Sequence, residues 1–564
     1  MGEAGNFSTA SDVSQAMEAM TKSLHDKLHL PPLPAEEEEQ GKLMHMVMVP
    51  YPLQGHINPM MQFAKALVAK HSVKVSFINI KYNHDRIQKS RMRSASSSCT
   101  SSLSELYSHD TLKPSKCQTD RTGERVQKML ELLWIDNGLP EDYDCADLAK
   151  LYDFHTATLN MKEPLKQLLE KLNKKSQPIS CVIFGSFCPW IHTISAELGI
   201  PSVFFWTQST VALSIYYHAP LLAANGFFPY KKHAAASGLT GCNEEHEMSQ
   251  ETTSKVLVSY VPGVLPLPPS SIPTLLQVDG TSDPSYISLR EQFDILKSCQ
   301  GAIVNSFEEL ESDAYRAMQQ ELPFPVSLVG PLVPSAFLEE GDANDTSVGV
   351  SLLEERTECI EWLNRQKKQS VLYISFGSLF FPSDEDLASI FNGIKDSKQP
   401  FLWVMRPKSS TGDLAELLPK GFMDDTKERG IIISWAPQTH VLSHPSVGAF
   451  LTHCGWNSTL ESVSMGVPMI LCPLISDQPT NSSYVCEFWK TGMPLKRQGD
   501  GSLSSLHVAR VVRIVLEEKE GEEMRKNAVS LREAARRAAG AQGSSCNHME
   551  EFIQTIRSHF KWKS

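Results

Sequence analysis

The sequence is short of positive charge and has no long apolar run, and each shortage excludes a class of function. Its 53 lysines and arginines stand against 65 aspartates and glutamates, which gives a formal net charge of −12. A protein that binds the nucleic-acid backbone shows a basic face or stripe, so we predict no nucleic-acid partner. No run of about 18 or more apolar residues occurs. We therefore predict no membrane span, a cytoplasmic location and, by default, a monomer.

Cofactor motifs are also missing. The 12 cysteines include no Cys-x-x-Cys pair and are too dilute for a disulfide scaffold, so we interpret them as reduced thiols. No Gly-x-Gly-x-x-Gly follows a predicted strand, and no Gly-x-x-x-x-Gly-Lys-Ser/Thr loop occurs. The ordinary dinucleotide and P-loop classes therefore lose their support, and we predict no cofactor.

What the sequence does contain is an alternation of strand and helix patterns that runs through the chain twice. Short apolar runs predict strands at residues 43–49, 73–79, 179–184, 202–206 and 301–305, and again at 370–376, 401–405, 431–434, 449–452 and 468–472. Helix patterns between them favour parallel sheets with right-handed crossovers. We predict an α/β protein of two consecutive Rossmann-like, doubly wound domains that face a central cleft. Ligands should bind at the carboxyl ends of the strands.

Composition and pattern breaks predict the limits of these domains. The chain is predicted to begin with a disordered acidic N-terminal extension (1–42). An N-terminal domain (43–334) follows, with exposed insertions at about 91–120 and 231–256. After it come an interdomain linker (335–365), a C-terminal domain (366–545) and a C-terminal helix (546–564) that packs back on the N-terminal domain.

Residues suited to ligand binding gather in one stretch of the second domain. The strand at 449–452 ends in a tight His-Cys-Gly-Trp turn, and a helix begins at Asn457 or Ser458. Backbone N–H groups at a helix start, together with the helix dipole, form an anion site, and His453 adds a side-chain donor. Asn457 and Glu461 are four residues apart and therefore lie on one side of the helix. The carboxylate is well placed there to accept hydrogen bonds from ribose hydroxyls.

The same residues have a structural interpretation. Ser458 and Glu461 form a capping box, which stabilises a helix by about 1 kcal/mol without any ligand. Trp435, which precedes an Ala-Pro pair, could be a core aromatic. Packing alone, however, gives no reason to gather His, Trp, Asn, Ser, Glu, Asp and Gln at the strand ends of one sheet. The ordered string therefore favours a binding site.

The string from Trp435 to Gln478 resembles the signature box of plant UDP-dependent glycosyltransferases. It reads Trp-Ala-Pro-Gln at 435–438, His-Cys-Gly-Trp-Asn-Ser at 453–458, Glu461 and Asp-Gln at 477–478. Further similar stretches lie at residues 50–59, 304–311, 329–332 and 375–378. The resemblance implies a GT-B fold in which the N-terminal domain binds the acceptor and the C-terminal domain binds the nucleotide sugar, a co-substrate.

The resemblance also implies a UDP-sugar site made of Ser378, Trp435, Ala436, Gln438, His453, Gly455, Trp456, Asn457, Ser458, Glu461, Asp477 and Gln478. Trp435 would stack on uracil, Gln438 would hold the nucleoside and Glu461 the ribose hydroxyls. The diphosphate would be bound by His453, Asn457, Ser458 and Ser378. The sugar hydroxyls would be held by Trp456, Asp477 and Gln478. Gln478 together with Trp456 is similar to the members that use glucose.

His56 is the implied general base. It lies in a Gly-His-Ile-Asn-Pro segment after the first predicted strand, where it could reach an acceptor hydroxyl across the cleft. The implied reaction is an inverting displacement that moves glucose from UDP-glucose to a hydroxyl or carboxyl of a small lipophilic acceptor. The Asp-x-Asp string from Asp384 to Asp386 is explained by helix capping, and we predict no metal.

One position departs from the family pattern. A carboxylate usually follows the strand that matches 181–184 and orients the catalytic histidine, and Gly185 occupies that place. Ser186 could accept a weak hydrogen bond instead, or a carboxylate such as Asp85 could approach from another loop. Without a carboxylate the charged histidine is less stabilised. We therefore expect phenols and carboxylic acids to react better than aliphatic alcohols.

Two other functions stay open at this point. Gly185 favours a catalytically weak protein that only binds UDP-sugars. A nucleotide-sugar epimerase could use the same two-domain architecture without an external acceptor.

Overall fold

The computed structural model describes residues 43–89, 125–126, 128–139, 151–230, 257–338, 358–379, 381–406 and 417–561. The predicted N-terminal extension, both predicted insertions and most of the predicted linker lie outside these residues. Among the described helices, none is both long and apolar enough to cross a bilayer.

The N-terminal half forms a sheet that has seven strands within the described residues. Their order is β3-β2-β1-β4-β5-β6-β7. The strands are Met44–Val49 (β1), Val73–Ile80 (β2), Leu130–Ile135 (β3), Cys181–Gly185 (β4), Ser202–Trp206 (β5), Ala302–Val304 (β6) and Val326–Leu328 (β7). The registered pairings are parallel. Residues of the central strands β1, β4 and β5 are buried on both faces, as is usual when helices cover a parallel sheet.

Helices alternate with these strands. They are Gln54–Lys70 (α1), Leu151–Leu159 (α2), Lys162–Asn173 (α3), Trp190–Glu197 (α4), Thr210–Tyr217 (α5), Ala219–Ala224 (α6), Pro284–Leu296 (α7) and Glu308–Glu321 (α8). In α1 the buried residues recur every three or four positions, from Ile57 through Met60, Met61 and Ala64 to Val68. That spacing places one apolar stripe against the sheet.

The C-terminal half repeats the arrangement with six strands in its described part. Their order is β10-β9-β8-β11-β12-β13, and the registered pairings are again parallel. The strands are Val371–Ser375 (β8), Phe401–Val404 (β9), Gly430–Ile433 (β10), Val447–Thr452 (β11), Met469–Leu471 (β12) and Gly492–Pro494 (β13). The helices are Glu358–Leu363 (α9), Asp384–Ser397 (α10), Phe422–Thr426 (α11), Gln438–Ser443 (α12), Trp456–Met465 (α13), Gln478–Ser483 (α14), Ser505–Glu517 (α15), Lys519–Ala539 (α16) and Ser544–Lys561 (α17).

Each sheet has a point where the strand order reverses direction. In the first sheet it lies between β1 and β4, and in the second between β8 and β11. Loops that leave neighbouring strands at such a point diverge to opposite faces and open a crevice at the carboxyl edge of the sheet. Both halves therefore confirm the predicted doubly wound α/β class.

The last helix, α17, returns to the N-terminal sheet. Its His548 bonds through Nδ1 to the carbonyl of Leu328 in β7 at 3.1 Å and through Nε2 to the Tyr315 hydroxyl at 3.0 Å. Phe552 packs on Phe63 of α1 with ring centroids 6.0 Å apart. The end of the chain thus ties the second half to the first.

Candidate active site

A cavity of about 720 Å³ lies at the carboxyl ends of both sheets. Its walls include residues that follow β1, β4, β5 and β6 in the first half and β8, β10, β11 and β12 in the second. Every residue that the sequence assigned to the site lines it: His56, Ser378, Trp435, Ala436, Gln438, His453, Gly455, Trp456, Asn457, Ser458, Glu461, Asp477 and Gln478. The structure therefore brings the candidate base and all the predicted UDP-sugar-binding residues to one cavity.

His56 lies in the first turn of α1, just after the loop that leaves β1. Its ring packs edge-on against Tyr51 and Phe187, with centroids 5.3 and 5.8 Å away. Its Nδ1 atom lies 3.0 Å from the hydroxyl oxygen of Thr207 and 3.5 Å from that of Ser186. Hydroxyl groups therefore occupy Nδ1, and among the described residues Nε2 has no hydrogen-bond partner.

In the described part of the chain, no carboxylate bonds to His56. Asp85, one of the two substitutes considered above, pairs with Lys81 at 2.8 Å instead. Ser186, the other, lies at the outer limit of hydrogen-bond length. Gly185 is packed so closely that a Cβ there would lie 2.8 Å from the backbone nitrogen of Tyr51. An aspartate at position 185 would therefore force the backbone of this loop to move.

Burial sets the charge of the two histidines in the cavity. It lowers the pKa of His56 to about 4 and the pKa of His453 to about 4. Both imidazoles are therefore neutral near pH 7. Neutral imidazole is the form that can accept a proton from an acceptor hydroxyl.

His453 is held between two glycines. A Cβ would lie 2.7 Å from its ring if placed on Gly377 and 2.4 Å from its Nε2 atom if placed on Gly455. Gly377 also has a φ of +78°, which favours glycine. Helix α13 begins directly after Gly455, so its unpaired N–H groups lie beside the ring. The ring of His453 and these N–H groups form a donor-rich end of the cavity that suits a pyrophosphate.

Gln438 organises the part of the cavity assigned to the nucleoside. Its Nε2 donates to the carboxylate of Glu461 at 2.6 Å and to the hydroxyl of Ser458 at 2.9 Å. Its amide oxygen accepts from the Tyr373 hydroxyl at 2.9 Å. Glu461 is thereby fixed one helical turn beyond the pyrophosphate end. Trp435 lines the same part of the cavity and stays partly exposed to it.

Trp456 and Asn457 of the box both donate from their side chains to backbone carbonyls of the first domain. The indole N–H of Trp456 donates to the carbonyl oxygen of Asn305 at 2.6 Å, and the amide of Asn457 donates to the carbonyl of Gly55 at 2.7 Å. The bond to Asn305 uses the single indole hydrogen of Trp456, whereas the amide of Asn457 keeps a second hydrogen for a sugar or a phosphate. If Trp456 binds the donor as the resemblance implies, it does so through other atoms than its indole nitrogen.

Asp477 and Gln478 lie at the start of α14 and are both buried. Asp477 accepts from Asn481 at 2.7 Å and from Gln208 of the first domain at 3.3 Å, and burial raises its pKa to about 6. The amide oxygen of Gln478 accepts from the backbone nitrogens of Leu474 and Ile475. These bonds hold both side chains at the wall of the cavity.

The cavity residues that the sequence did not assign individually include Thr207, Gln208 and Asn305. They are the first or second residues after β5 or β6, and they line the cavity. Position after a strand was the available signal. It pointed to His56 and to Gly185 but was not applied residue by residue to the ends of these two strands.

Asp386, from the Asp-x-Asp string, bonds through both carboxylate oxygens to Arg497 at 2.9 and 2.7 Å. Its backbone nitrogen donates to the capping hydroxyl of Ser383 at 3.2 Å. In the regions that the structure covers, no three His, Cys, Asp or Glu side chains come together as metal ligands would.

The chain is similar to known glycosyltransferases both in sequence and in fold. Residues 354–533 match the family described as "UDP-glucoronosyl and UDP-glucosyl transferase". UDP-glycosyltransferase 85A7 of Arabidopsis thaliana is 33% identical over 519 residues, which cover 91% of this chain and 96% of the relative. A 7-deoxyloganetin glucosyltransferase of Gardenia jasminoides is 32% identical, with 91% and 98% covered. Phytolacca americana UGT2, solved with UDP-2fluoro-glucose and pterostilbene, aligns at a TM-score of 0.66 and 26% identity, over 91% of this chain and 99% of that one.

Proposed function

Because the chain belongs to the plant UDP-glycosyltransferase family and has its GT-B fold, we propose that it moves glucose from UDP-glucose to a hydroxyl or carboxyl of a small lipophilic acceptor, with inversion and with His56 as general base. The observation that carries this proposal is that His56 and every residue assigned to the UDP-sugar site line one cavity. Glycosyl transfer to a small molecule is what the family membership itself supports.

The donor occupies the side of the cavity formed by the second domain. Trp435 stacks on the uracil ring, and Glu461, fixed by Gln438, accepts from the ribose hydroxyls. The pyrophosphate lies at the start of α13, where backbone N–H groups, Ser458 and the neutral His453 donate to it. Ser378 completes this end. Negative charge on the phosphates would favour the protonated form of His453 and raise its pKa on binding.

The sugar lies where both domains meet. Asp477 accepts from sugar hydroxyls, and the amide nitrogen of Gln478 donates to them, since its oxygen is bonded to the backbone. Trp456 contributes its backbone nitrogen and the face of its ring, because its indole N–H is bonded to Asn305. Asn457 donates one amide hydrogen to the carbonyl of Gly55, and its second amide hydrogen and its backbone nitrogen face the donor.

The reaction is a single in-line displacement. Nε2 of His56 accepts the proton of the acceptor hydroxyl while the oxygen of that hydroxyl attacks the anomeric carbon. The bond from that carbon to the β-phosphate oxygen breaks, and UDP leaves with the electron pair. The hydrogen-bond donors at the start of α13 stabilise the charge that develops on the leaving phosphate.

The hydroxyl partners of His56 support a preference for acidic acceptors. A hydroxyl stabilises an imidazolium less than a carboxylate does, so less of the proton can be transferred to His56 early in the reaction. Phenols and carboxylic acids, which give up the proton more readily, should turn over faster than an alkanol of similar size. Equal rates for a matched phenol and alkanol would contradict this preference.

The test is an acceptor screen with UDP-glucose, read out by mass spectrometry and UDP release, beside His56→Ala. We expect glucosides of phenols or acids with the native chain and a loss of at least about 100-fold with the variant. A protein that only binds UDP-sugars would show saturable binding without turnover, and an epimerase would isomerise the sugar without acceptor. Full activity in His56→Ala would overturn the role of this histidine.

A further inference from the structure

We propose that Thr207 is the residue that positions His56 for catalysis, in the role that a carboxylate usually fills. This inference rests on the proposed function, because it concerns the base of that reaction. Its starting point is the shortest hydrogen bond made by the His56 ring, 3.0 Å from Nδ1 to the Thr207 hydroxyl oxygen.

The proton on Nδ1 decides what His56 can do. Nε2 can accept a proton from the acceptor only if the neutral ring carries its own proton on Nδ1. Nδ1–H must then donate to an oxygen, and the Thr207 hydroxyl is the nearest. Within the described residues Thr207 has no other hydrogen-bond partner, so its oxygen is available to accept. By accepting from Nδ1–H, Thr207 fixes the orientation of the ring and stabilises the tautomer that leaves Nε2 free as the base.

The topology explains why this threonine reaches His56. Strands β1, β4 and β5 are neighbours in the first sheet, so the residues that follow them meet at one edge. The residue after β4 is Ser186, whose hydroxyl is 3.5 Å from Nδ1. The residue after β5 is Thr207, which is 4% exposed and closer. Gly185 has no side chain to offer, and the Tyr51 backbone leaves no room for a Cβ at that position.

The backbone beside Thr207 is held firmly. Ser209 caps α5 by accepting from the nitrogen of Ala212 at 3.1 Å. The buried carboxylate of Glu311 accepts from the nitrogens of Thr210 and Val211 at 2.8 and 3.0 Å. With the end of β5 on one side and a doubly capped helix on the other, the threonine hydroxyl has a fixed position from which to orient the ring.

The test compares Thr207→Val, which keeps the shape but removes the hydroxyl, with Thr207→Ser, which keeps the hydroxyl. With a phenol acceptor, Thr207→Val should lower kcat about 10- to 100-fold, since a hydrogen bond to a charged ring is lost. The KM for UDP-glucose should change less than about twofold, because positioning of the base does not contribute to donor binding. Thr207→Ser should recover most of the lost kcat.

A second readout separates positioning from a general structural effect. With a series of phenols of increasing pKa, the rate of Thr207→Val should fall more steeply than that of the native chain, because the weakened base depends more on the acidity of the acceptor. Ser186→Ala should lose less than Thr207→Val, because its hydroxyl is farther from Nδ1. UDP binding by calorimetry and the melting temperature check that each variant is folded.

Three outcomes would overturn the inference. The first is an unchanged kcat in Thr207→Val. The second is a raised KM for UDP-glucose with an unchanged kcat, which would make Thr207 a contact of the donor. The third is a larger loss of kcat in Ser186→Ala than in Thr207→Val. Failure of the proposed function looks different: the native chain would then transfer no glucose to any acceptor, or His56→Ala would keep its activity. Native activity that is lost in His56→Ala but kept in Thr207→Val would reject only the role of Thr207.

Discussion

At the residue scale, the cavity depends on which atoms are already bonded. Nδ1 of His56 is bonded to hydroxyls, the indole N–H of Trp456 to a carbonyl and the amide oxygen of Gln478 to backbone nitrogens. Only the donors and acceptors that remain free of such bonds are available to a ligand. The residue types were readable in the sequence, but the allocation of their donors and acceptors was not.

The depressed pKa of His56 gives a prediction on pH. The base works as neutral imidazole, and burial lowers its pKa to about 4. Rates at saturating UDP-glucose, with an acceptor that does not titrate, should therefore stay level from about pH 8 to about pH 5.5 and decline only as pH falls towards 4. An inflection near the ordinary histidine pKa of about 6.5 would contradict this.

Asp477 provides an internal check on the same profile. Burial raises its pKa to about 6, and its protonated form accepts fewer hydrogen bonds from sugar hydroxyls. The KM for UDP-glucose should therefore rise below about pH 6, while the rate at saturating UDP-glucose stays the same. The substitution Asp477→Asn should remove this rise in KM.

At the scale of elements, the sequence predicted the inner strands better than the edges. Strands β3, β7 and β13 were not predicted, and all three lie at the edge of a sheet. β7 and β13 have only three residues each, and β3 carries the 47% exposed Trp134. Edge strands bury less apolar surface, so their sequences show a weaker pattern.

The junction of β11 with α13 carries a prediction of its own. Gly455 has an ordinary φ of −62°, so Gly455→Ala changes little except the space beside His453. The added Cβ would lie 2.4 Å from Nε2 of that ring and must displace it. We expect UDP binding, measured by calorimetry, to weaken about 10-fold or more, since a pyrophosphate donor is lost.

Gly499→Ala is the matched control, because no atom lies within 4 Å of a Cβ at that position. Its affinity for UDP should equal that of the native chain. An equal affinity in Gly455→Ala would argue against a pyrophosphate site beside His453.

At the scale of the whole molecule, the cavity exists because the two halves are held together on several sides. Gln208 reaches Asp477, Thr274 exchanges backbone and side-chain bonds with Ser476, and Thr480 donates to the carbonyl of Ser271. Helix α17 adds the connection at the far end of the first sheet. Residues of both halves are thereby kept at the cavity.

Removal of α17 should therefore weaken the fold. A chain that ends after Gly543 loses the buried side chains of Phe552, Ile553 and Ile556. At about 1.5 to 3 kcal/mol for each buried side chain, the free energy of unfolding should fall by about 5 to 9 kcal/mol. Denaturant unfolding measures this, with a chain that ends after Lys561 as control. Equal midpoints for the two chains would show that α17 does not stabilise the first domain.

The sequence by itself determined the fold class and the composition of the candidate site, because strand periodicity and an ordered string of residue types are local properties. The roles of the box residues stay predictions until ligands are bound. Only the tertiary structure decided that Thr207 lies on His56, that Asp85 does not, and that Trp456 and Asn457 bond to the first domain. Those facts depend on which strand ends become neighbours in the sheets and on how the two halves close on each other, and no local pattern in the chain specifies either.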